Sequence, residues 1–457
     1  MNSKNLRAAL LGSSAVLLMA MAATPGLAGE SKAALRSELQ RLQGRLERIE
    51  ARRATARRIE RRVAAAAAVE AGAKPRSWKL PGTNTSMQIG GFALLELIYD
   101  INHFSGDAVS SSGSSGASFP SAGTAAANRQ GHFRVHARRS RIFIKTWTPT
   151  DYGTLHTHIQ GDFFGAGGNQ LVSNSNSFRL RHAYGSLGPV LAGQTNSTFR
   201  FGKFEMFTFQ DRGLAGNGNG RQGQIRYTHG FGGGTALLVS VENPETNLAI
   251  TSATFVDPVV ISGGGANDRI PEFVVALQHV WSNGRVKFGA VFGENGIDDG
   301  AGSNDFTLVW AVQGGITMKF NKKRTSFAIL GFYGQGMGKY FRGMPGSIAV
   351  TGVNGANVEV KAITHYGGYA WVRHYWTDTI STGIGFGRHD ADAEGRIAKV
   401  NLPARTLDVH WSIIANLVWS PVKNVDMGVE YHMAKSQFHN ARESTIHRIE
   451  FAARYKF

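Results

Sequence analysis

The chain ends in Phe451-Ala452-Ala453-Arg454-Tyr455-Lys456-Phe457, a stretch whose side chains alternate with a period of two. The odd-numbered positions are aromatic or small and fall on one side of an extended strand, while Arg454 and Lys456 fall on the other. An amphipathic strand that closes the chain on an aromatic residue suits a transmembrane β-barrel, whose strands turn one face to lipid and one to an aqueous lumen. The stretch therefore predicts an all-β transmembrane barrel of antiparallel strands.

The start of the chain predicts export. Two basic residues precede an apolar run over residues 8–23, and Gly26-Leu27-Ala28 offers small residues at the cleavage positions. This is the pattern of a secretory signal peptide, which we assign to residues 1–28. The alternative is an uncleaved membrane anchor, which is less favoured because the apolar run is short and is broken by Pro25.

The composition after this segment agrees with a barrel. No run of about 18 apolar residues follows, so no transmembrane helix is expected. Cysteine is absent, which excludes disulfides and thiolate metal sites. The 57 Gly, 27 Phe, 11 Tyr and 8 Trp are typical of turns and of aromatic girdles around membrane strands.

The net charge of +18 is unevenly distributed. Residues 31–76 carry 13 Lys and Arg against five Asp and Glu, and the rest of the positive charge lies mostly beyond them. A basic barrel could attract anions to its lumen, or its charges could face acidic lipopolysaccharide. Nucleic-acid binding is not expected, because no binding motif accompanies the charge.

Residues 29–76 are predicted to form a basic helix in the periplasm. Apolar residues recur in it at heptad spacing: Leu35, Leu39, Leu42, Leu46 and Ile49. About two heptads are too short to be stable alone, so this seam predicts a short coiled coil on an oligomer that is held together elsewhere. The alternatives are a lone amphipathic helix or a disordered basic tether.

Residues 77–457 are predicted to form the barrel. One outward-facing stripe has aromatic residues at both ends: Trp411, Ile413, Ala415, Leu417 and Trp419. Tight turns are expected at 147–153 and 419–424, and long Gly-, Ser- and Asn-rich loops at 105–129, 165–177 and 293–305. Short turns on one rim and long loops on the other are typical of outer-membrane barrels.

Several strings go beyond a generic barrel. They are Leu80-Pro81-Gly82-Thr83-Asn84-Thr85-Ser86, Ser140-Arg141-Ile142-Phe143-Ile144-Lys145-Thr146, Gly161-Asp162-Phe163-Phe164-Gly165, Arg179-Leu180-Arg181-His182-Ala183-Tyr184-Gly185, Ala192-Gly193-Gln194-Thr195-Asn196-Ser197-Thr198-Phe199, Ser420-Pro421-Val422 and Gly428-Val429-Glu430-Tyr431. In this order they resemble the DcaP-like trimeric porins. The resemblance runs from about residue 31 to the C-terminus.

The resemblance implies a homotrimer of sixteen-stranded barrels in the bacterial outer membrane, in contact with lipid and lipopolysaccharide. It also implies an N-terminal coiled coil and the passage of small solutes, with dicarboxylates as substrates of a characterised member. The chain departs from the family in its Arg-rich helix, where Arg53 and Ala56 occupy the core positions that follow Ile49.

The resemblance further implies that one long loop folds into the lumen and narrows it. The matching segment follows Ala192-Gly193-Gln194 and runs to about Gly220. Its many phenylalanines predict that it packs against the barrel wall. Glu205, Asp211 and Arg212 are the candidates for the constriction.

Strand parity predicts a row of basic residues on the opposite wall. The candidates are Arg139, Arg141, Lys145, Arg179, Arg181, Arg221 and Arg226. His182 is expected on the face opposite Arg179 and Arg181. An anion that sheds water in a pore needs fixed positive charge in its place, and the guanidinium fork can bind carboxylates through two bonds. Alternatively, these residues are solvated or contact lipopolysaccharide without any solute preference.

Other chemistry is not favoured. His156 and His158 lie two residues apart on one strand face without a third ligand nearby, so no metal is expected. The G-x-G-x-x-G match at 218–223 has no strand–helix unit around it. No nucleophile or zincin motif is present. We therefore expect no cofactor and no enzyme activity, and predict a diffusion channel for small anionic solutes. The alternatives are a phosphate-selective porin, an outer-membrane enzyme, or a barrel that serves as an envelope tether.

Overall fold

The computed structural model describes most of the chain after residue 28. The described residues are 29–66, 69–102, 125, 128–165, 173–201, 208–209, 213–218, 220–246, 265–298, 300, 302–341, 346–351, 359–392, 407–438 and 443–457. They belong to two units, of which the first ends at Glu70 and the second runs from Ala71 to Phe457. The predicted signal peptide, residues 1–28, lies outside the described residues. In the part of the chain that is described, no helix has the length and apolar character needed to cross a membrane.

Among its described residues, the first unit contains one helix, α1 (Gly29–Ala66). Two residues of the predicted heptad seam, Leu42 and Ile49, are 54% and 48% exposed. These two apolar side chains of α1 are therefore exposed to solvent in the single chain, and packing against another helix in a coiled coil would bury them.

The regular secondary structure described in the second unit consists almost entirely of β-strands. They are β1 (Trp78–Lys79), β2 (Ser86–Asn102), β3 (Gln130–His136), β4 (Arg141–Thr150), β5 (Gly153–Asp162), β6 (Arg179–Leu187), β7 (Val190–Asn196), β8 (Arg221–Gly232), β9 (Thr235–Glu242), β10 (Gly265–Ala266), β11 (Glu272–Trp281), β12 (Gly284–Asp298), β13 (Asn304–Phe320), β14 (Thr325–Gln335), β15 (Ile348–Thr351), β16 (Glu359–Ala362), β17 (Thr364–Tyr375), β18 (Ile380–Asp392), β19 (Leu407–Val422), β20 (Val425–Phe438) and β21 (Glu443–Lys456). A short 3₁₀ turn spans Gly338–Tyr340.

The sheet closes on itself because β2 pairs with β21 on one side and with both β3 and β4 on the other. Since β3 and β4 follow one another along the same side of β2, they occupy a single position in the wall. β1, β10, β15 and β16 are short additions, so the wall has sixteen antiparallel positions. The predicted sixteen-stranded barrel is confirmed.

The two rims differ as expected. On one rim, neighbouring strands are joined by turns of two to four residues, such as those after Thr150, Leu187 and Trp281. On the other rim the connections are mostly long. Two connections on this rim are short. The predicted loop at 293–305 is reduced to residues 299–303, because β12 continues to Asp298 and β13 begins at Asn304. Residues 439–442 join β20 to β21. Paired backbone groups satisfy their hydrogen bonds across this part of the sheet.

The closing strand has the alternation that its sequence predicted. Phe451, Tyr455 and Phe457 are 36%, 51% and 61% exposed, whereas Ala452 between them is fully buried. In a membrane strand this pattern places aromatic side chains against lipid and small side chains against the filled interior.

The described residues of the segment between β7 and β8, which are 197–201, 208–209, 213–218 and 220, pack inside the barrel, and we call them the inserted loop. Phe199, Phe201 and Leu214 are at most 2% exposed and pack in one apolar cluster with residues of the wall. Phe209 packs separately against Leu94 and other wall residues. The predicted packing of loop phenylalanines against the wall is therefore present.

Two wall glycines make room for the inserted loop. A methyl group at Gly387 of β18 would overlap the main-chain carbonyl of Ala215. A methyl group at Gly428 of β20 would lie 2.8 Å from the Phe209 ring. A side chain at either position would force the loop or the wall to move, because interiors are close-packed.

Candidate functional site

The barrel interior is filled unevenly. Four lumenal histidines on β17–β20 are at most 1% exposed: His365, His389, His410 and His432. On β4–β6, by contrast, the lumenal residues are mostly half-buried, and the side chains of Arg141 and Arg179 are 24% and 26% exposed. The open part of the lumen therefore borders the wall formed by β4–β6, where most of the predicted basic residues lie.

Three of those residues surround one carboxylate. Arg179 binds Asp162 through two hydrogen bonds, Nε to Oδ1 and Nη2 to Oδ2, each 2.9 Å long. Arg181 Nη1 donates to Asp162 Oδ2 at 2.6 Å, and Arg141 Nη2 lies 3.9 Å from the same oxygen. Because one negative charge meets three positive charges, this arginine cluster (Arg141, Arg179 and Arg181 around Asp162) keeps an excess of positive charge.

A β-bulge explains how β6 brings two arginines to one aspartate. Gln160 pairs with His182 but its neighbour Gly161 pairs with Leu180, which leaves Arg181 as the extra residue. Beyond the bulge the parity of β6 reverses. His182, which parity had placed on the face opposite the arginines, therefore lies on the lumenal face, where its Nδ1 is 2.8 Å from Thr195 Oγ1. That expectation was wrong.

Lys145 and Arg226 extend the basic wall on either side of this cluster. Lys145 Nζ lies 4.9 Å from the centroid of the Phe143 ring, a cation–π contact. Arg226 is half-buried on the face of β8 that also carries the buried Gln224. Arg221 pairs with Asn196 and falls on the other face of β8, which carries the exposed Ile225.

Arg139 has a different role. It lies in the turn between β3 and β4, is 8% exposed, and donates hydrogen bonds to the Glu96 carboxylate and to the main-chain carbonyl of Phe209. Its Nη2 is also 3.4 Å from Glu450 Oε1. Arg139 therefore links the inserted loop to the wall, with its charge balanced by two carboxylates.

Other wall side chains hold the first residues of the inserted loop by their main-chain atoms. Glu242 accepts a hydrogen bond from the Thr198 amide at 2.7 Å. Lys287 Nζ donates to the carbonyls of Thr198 and Arg200 at 2.7 and 2.6 Å. Arg285 Nη2 donates to the Phe201 carbonyl at 2.5 Å. The loop is thus fixed where it leaves β7.

The far part of the loop is fixed in the same way. Glu430 accepts hydrogen bonds from Thr208 Oγ1 at 2.6 Å and from the Phe209 amide at 3.0 Å. Ser412 Oγ accepts from the Ala215 amide at 2.8 Å. Gly218 forms a bridge with Phe341, so the inserted loop also meets the 3₁₀ turn region.

Three cations near the base of the loop were absent from the sequence prediction: Arg200, Arg285 and Lys287. Arg200 donates from Nη1 to Asn196 Oδ1 at 2.7 Å, and its burial, together with the nearby Arg181 guanidinium, lowers the pKa of Arg200 to about 10. Alternation along β12 could have placed Arg285 and Lys287 on the lumenal face. Arg200 gave no such signal, because it lies in a loop without periodicity.

The predicted constriction residues Glu205, Asp211 and Arg212 lie outside the described residues. Within the described ranges, no three His, Asp or Glu side chains are grouped so that they could hold a metal ion. The arginine cluster acts electrostatically, because it presents fixed positive charge to solutes in the open part of the lumen.

Comparison with known proteins agrees with this architecture. The sequence profile of the DcaP outer membrane protein family matches residues 70–287. The crystal structure of the outer membrane channel DcaP of Acinetobacter baumannii aligns with a TM-score of 0.67 at 20% identity, covering 85% of this chain and 100% of that one. The anion-selective porin from Comamonas acidovorans aligns with a TM-score of 0.50 at 11% identity, covering 82% of this chain and 100% of that one. A search of curated proteins found no match.

Proposed function

We propose that this chain is a diffusion porin for small hydrophilic, preferentially anionic solutes such as dicarboxylates, since residues 70–287 match the DcaP outer membrane protein family and the fold is that of an outer membrane channel. The arginine cluster carries this proposal. It combines three guanidinium groups with one carboxylate in the open part of the lumen, and its Arg141 and Arg179 side chains remain about a quarter exposed, at 24% and 26%.

The physical argument concerns hydration. An anion that enters a narrow pore loses part of its water shell, and fixed positive charge must replace it. Guanidinium groups suit carboxylates because their planar fork can donate two parallel hydrogen bonds. Lys145 and Arg226 continue the positive wall beyond the cluster, so a dianion can move between several weak sites and still leave the pore.

The inserted loop supports the same proposal from the other side. Arg200 adds a further cation close to Arg181, so the loop contributes positive charge beside the arginine cluster. The buried carboxylates Glu242 and Glu430, by contrast, are engaged in holding the loop. These two carboxylates therefore do not offset the positive charge of the arginine cluster.

We also propose the assembly and topology that the sequence predicted: a homotrimer in the outer membrane, in contact with lipid and lipopolysaccharide, with residues 1–28 removed and the helical segment in the periplasm. Two observations support it. α1 exposes Leu42 and Ile49, which a coiled coil would bury. β2 begins at the rim of short turns, and such rims face the periplasm in outer-membrane barrels.

Conductance in a planar lipid bilayer tests the proposed function. We expect the reversal potential across a KCl gradient to indicate chloride preference, and succinate to reduce the current. Block by micromolar inorganic phosphate with little effect of succinate would favour a phosphate-selective porin instead. A cation preference would contradict the proposal while leaving the channel fold intact.

A further inference from the structure

The helix α1 carries two segments of different character, and the proposed pore uses neither. Residues 33–50 contain the predicted heptad seam together with four Arg and three Glu, a net charge of +1. Residues 51–62 contain six Arg and one Glu, a net charge of +5, and we call this segment the charged half. The helix runs through both segments, since it extends from Gly29 to Ala66.

A second copy of α1 is a poor partner for the charged half. The core positions that follow Ile49 at heptad spacing are occupied by Arg53, Ala56 and Glu60. A charged side chain in a coiled-coil core is costly to bury unless it is paired. Two charged halves side by side would also repel each other, because like charges oppose association. Packing between copies of the helix is therefore expected to end at Ile49.

A lipid surface is also a poor partner. A helix that lies on a membrane needs one apolar face, yet Ile59 is the one large apolar residue between positions 51 and 60. Arg52, Arg53, Arg57 and Arg58 are all exposed. At about 100° per residue they point in directions of about 0, 100, 140 and 240° around the helix axis. The cations therefore surround the helix and do not border an apolar stripe.

The charged half keeps its helical form through its own sequence. Ala and Arg have high helix propensity, and Thr55 Oγ1 donates a hydrogen bond to the Ala51 carbonyl at 2.9 Å. The stretch from Arg52 to Arg58 is about 9 Å long at the rise of an α-helix. Each guanidinium group can donate two parallel hydrogen bonds to a carboxylate. The result is a short rod of ordered cations, which suits a flexible chain that carries carboxylates at intervals.

From this charge pattern we propose that the charged half of α1 is a docking surface for the anionic, carboxylate-bearing polymer of the cell wall. The protein would then attach the outer membrane to the wall in addition to forming a pore. The proposal rests on the proposed periplasmic position of α1. In the proposed homotrimer three charged halves act on the same polymer, so several weak contacts add up to stable attachment.

Co-sedimentation with purified cell-wall sacculi tests the proposal. The full-length protein is placed in nanodiscs of zwitterionic lipid, and the fraction that sediments with the sacculi is measured over a range of sacculus concentrations. We expect saturable binding in about 0.1 M salt and its loss in about 1 M salt, where the screening length is about 3 Å. No binding in the lower salt overturns the proposal.

Two variants with the same loss of charge locate the surface. Each replaces four arginines of α1 by glutamine: Arg52, Arg53, Arg57 and Arg58 in the first variant, and Arg36, Arg41, Arg45 and Arg48 in the control. The first variant should need about tenfold more sacculi for half-maximal binding, because each exposed ion pair contributes up to about fivefold. The control should stay within about twofold of the unmodified protein. Equal losses in the two variants overturn the proposal, since net charge alone would then explain the binding.

Anionic vesicles provide the competing surface. Stronger co-sedimentation with vesicles that contain anionic lipid than with sacculi would assign the charged half to a lipid surface and overturn the proposal. Both variants leave residues 71–457 unchanged, so their conductance and chloride preference in a planar bilayer should equal those of the unmodified protein. Because the pore is measured in potassium chloride and the docking surface by sedimentation, failure of the proposed function and failure of this proposal give different results.

Discussion

Arg139 donates a hydrogen bond to the main-chain carbonyl of Phe209, 70 residues further along the chain. The same guanidinium binds Glu96, so one side chain joins the wall of the barrel to the loop inside it. A basic residue that strand parity placed among the pore-lining candidates thus holds the loop that shapes the pore.

Replacement of Arg139 should therefore affect stability more than selectivity. In Arg139→Gln, the buried carboxylates Glu96 and Glu450 lose their cation, and breaking a buried ion pair costs about 3–5 kcal/mol. We expect a lower midpoint of thermal unfolding in detergent and noisier single-channel currents. Arg324→Gln is the matched control, because its pair with Asp378 is exposed and such pairs contribute about 0–1 kcal/mol. Equal midpoints in the two variants would contradict this role.

The arginine cluster should set the anion preference. Arg179→Gln and Arg181→Gln each remove one positive charge beside Asp162. We expect the chloride-to-potassium permeability ratio to fall about two- to fivefold, since a unit charge about 4 Å away contributes on the order of 1 kcal/mol in an aqueous medium. Arg269→Gln removes a charge from a loop where it pairs with Glu294, and should leave the ratio unchanged. A similar fall in all three variants would mean that net charge, rather than position, determines selectivity.

Ionic strength should weaken the preference. The screening length falls from about 10 Å at 0.1 M salt to about 3 Å at 1 M. Charges that are about a quarter exposed, such as Arg141 and Arg179, are open to this screening. The permeability ratio measured at a fixed tenfold gradient should therefore approach unity as the mean salt concentration rises. A ratio that stays constant would indicate a buried, desolvated binding site instead.

Gly387 should control the width of the pore. In Gly387→Ala the added methyl group overlaps the Ala215 carbonyl of the inserted loop, so the loop must shift towards the open lumen. We expect a lower single-channel conductance and a loss of about 1–3 kcal/mol of stability, as for other overpacked interiors. Gly223→Ala on β8 is the control, because nothing lies within 4 Å of the added methyl group there. Unchanged conductance in Gly387→Ala would mean that the wall shifts to make room for the methyl group and that the loop keeps its position.

Local patterns were enough to predict the barrel. The alternation in β21, the turns of two rims and the family strings are all features of short sequence stretches. The alternation and the short turns are present, and the predicted long loop at 293–305 is shorter than expected. The predicted long loops at 105–129 and 165–177 lie mostly outside the described residues. The family resemblance is confirmed by the profile match and the solved channel structure. These features can be predicted from the sequence because strand periodicity is a local property.

The functional site was harder to predict from the sequence, for two physical reasons. A bulge shifts parity without any sequence signal, which is how His182 came to be placed on the wrong face. The contacts that hold the inserted loop join residues far apart in the chain, such as Thr208 and Glu430, which are 222 positions apart. Alternation along β12 could have placed Arg285 and Lys287 in the lumen, but the loop carbonyls to which they donate, and the position of Arg200, could not be identified without the closed barrel.

Side chains of the wall hold the inserted loop through hydrogen bonds to its main-chain atoms. Thr198, Arg200, Phe201, Phe209 and Ala215 are all held through main-chain amides or carbonyls. Because these hydrogen bonds use main-chain atoms, they do not depend on which side chains the loop carries at positions that make no contact with the wall. Apart from the few buried apolar residues, the residues of this loop can therefore be substituted, by evolution or by design, without changes in the wall. Such substitutions would change which solutes the pore admits.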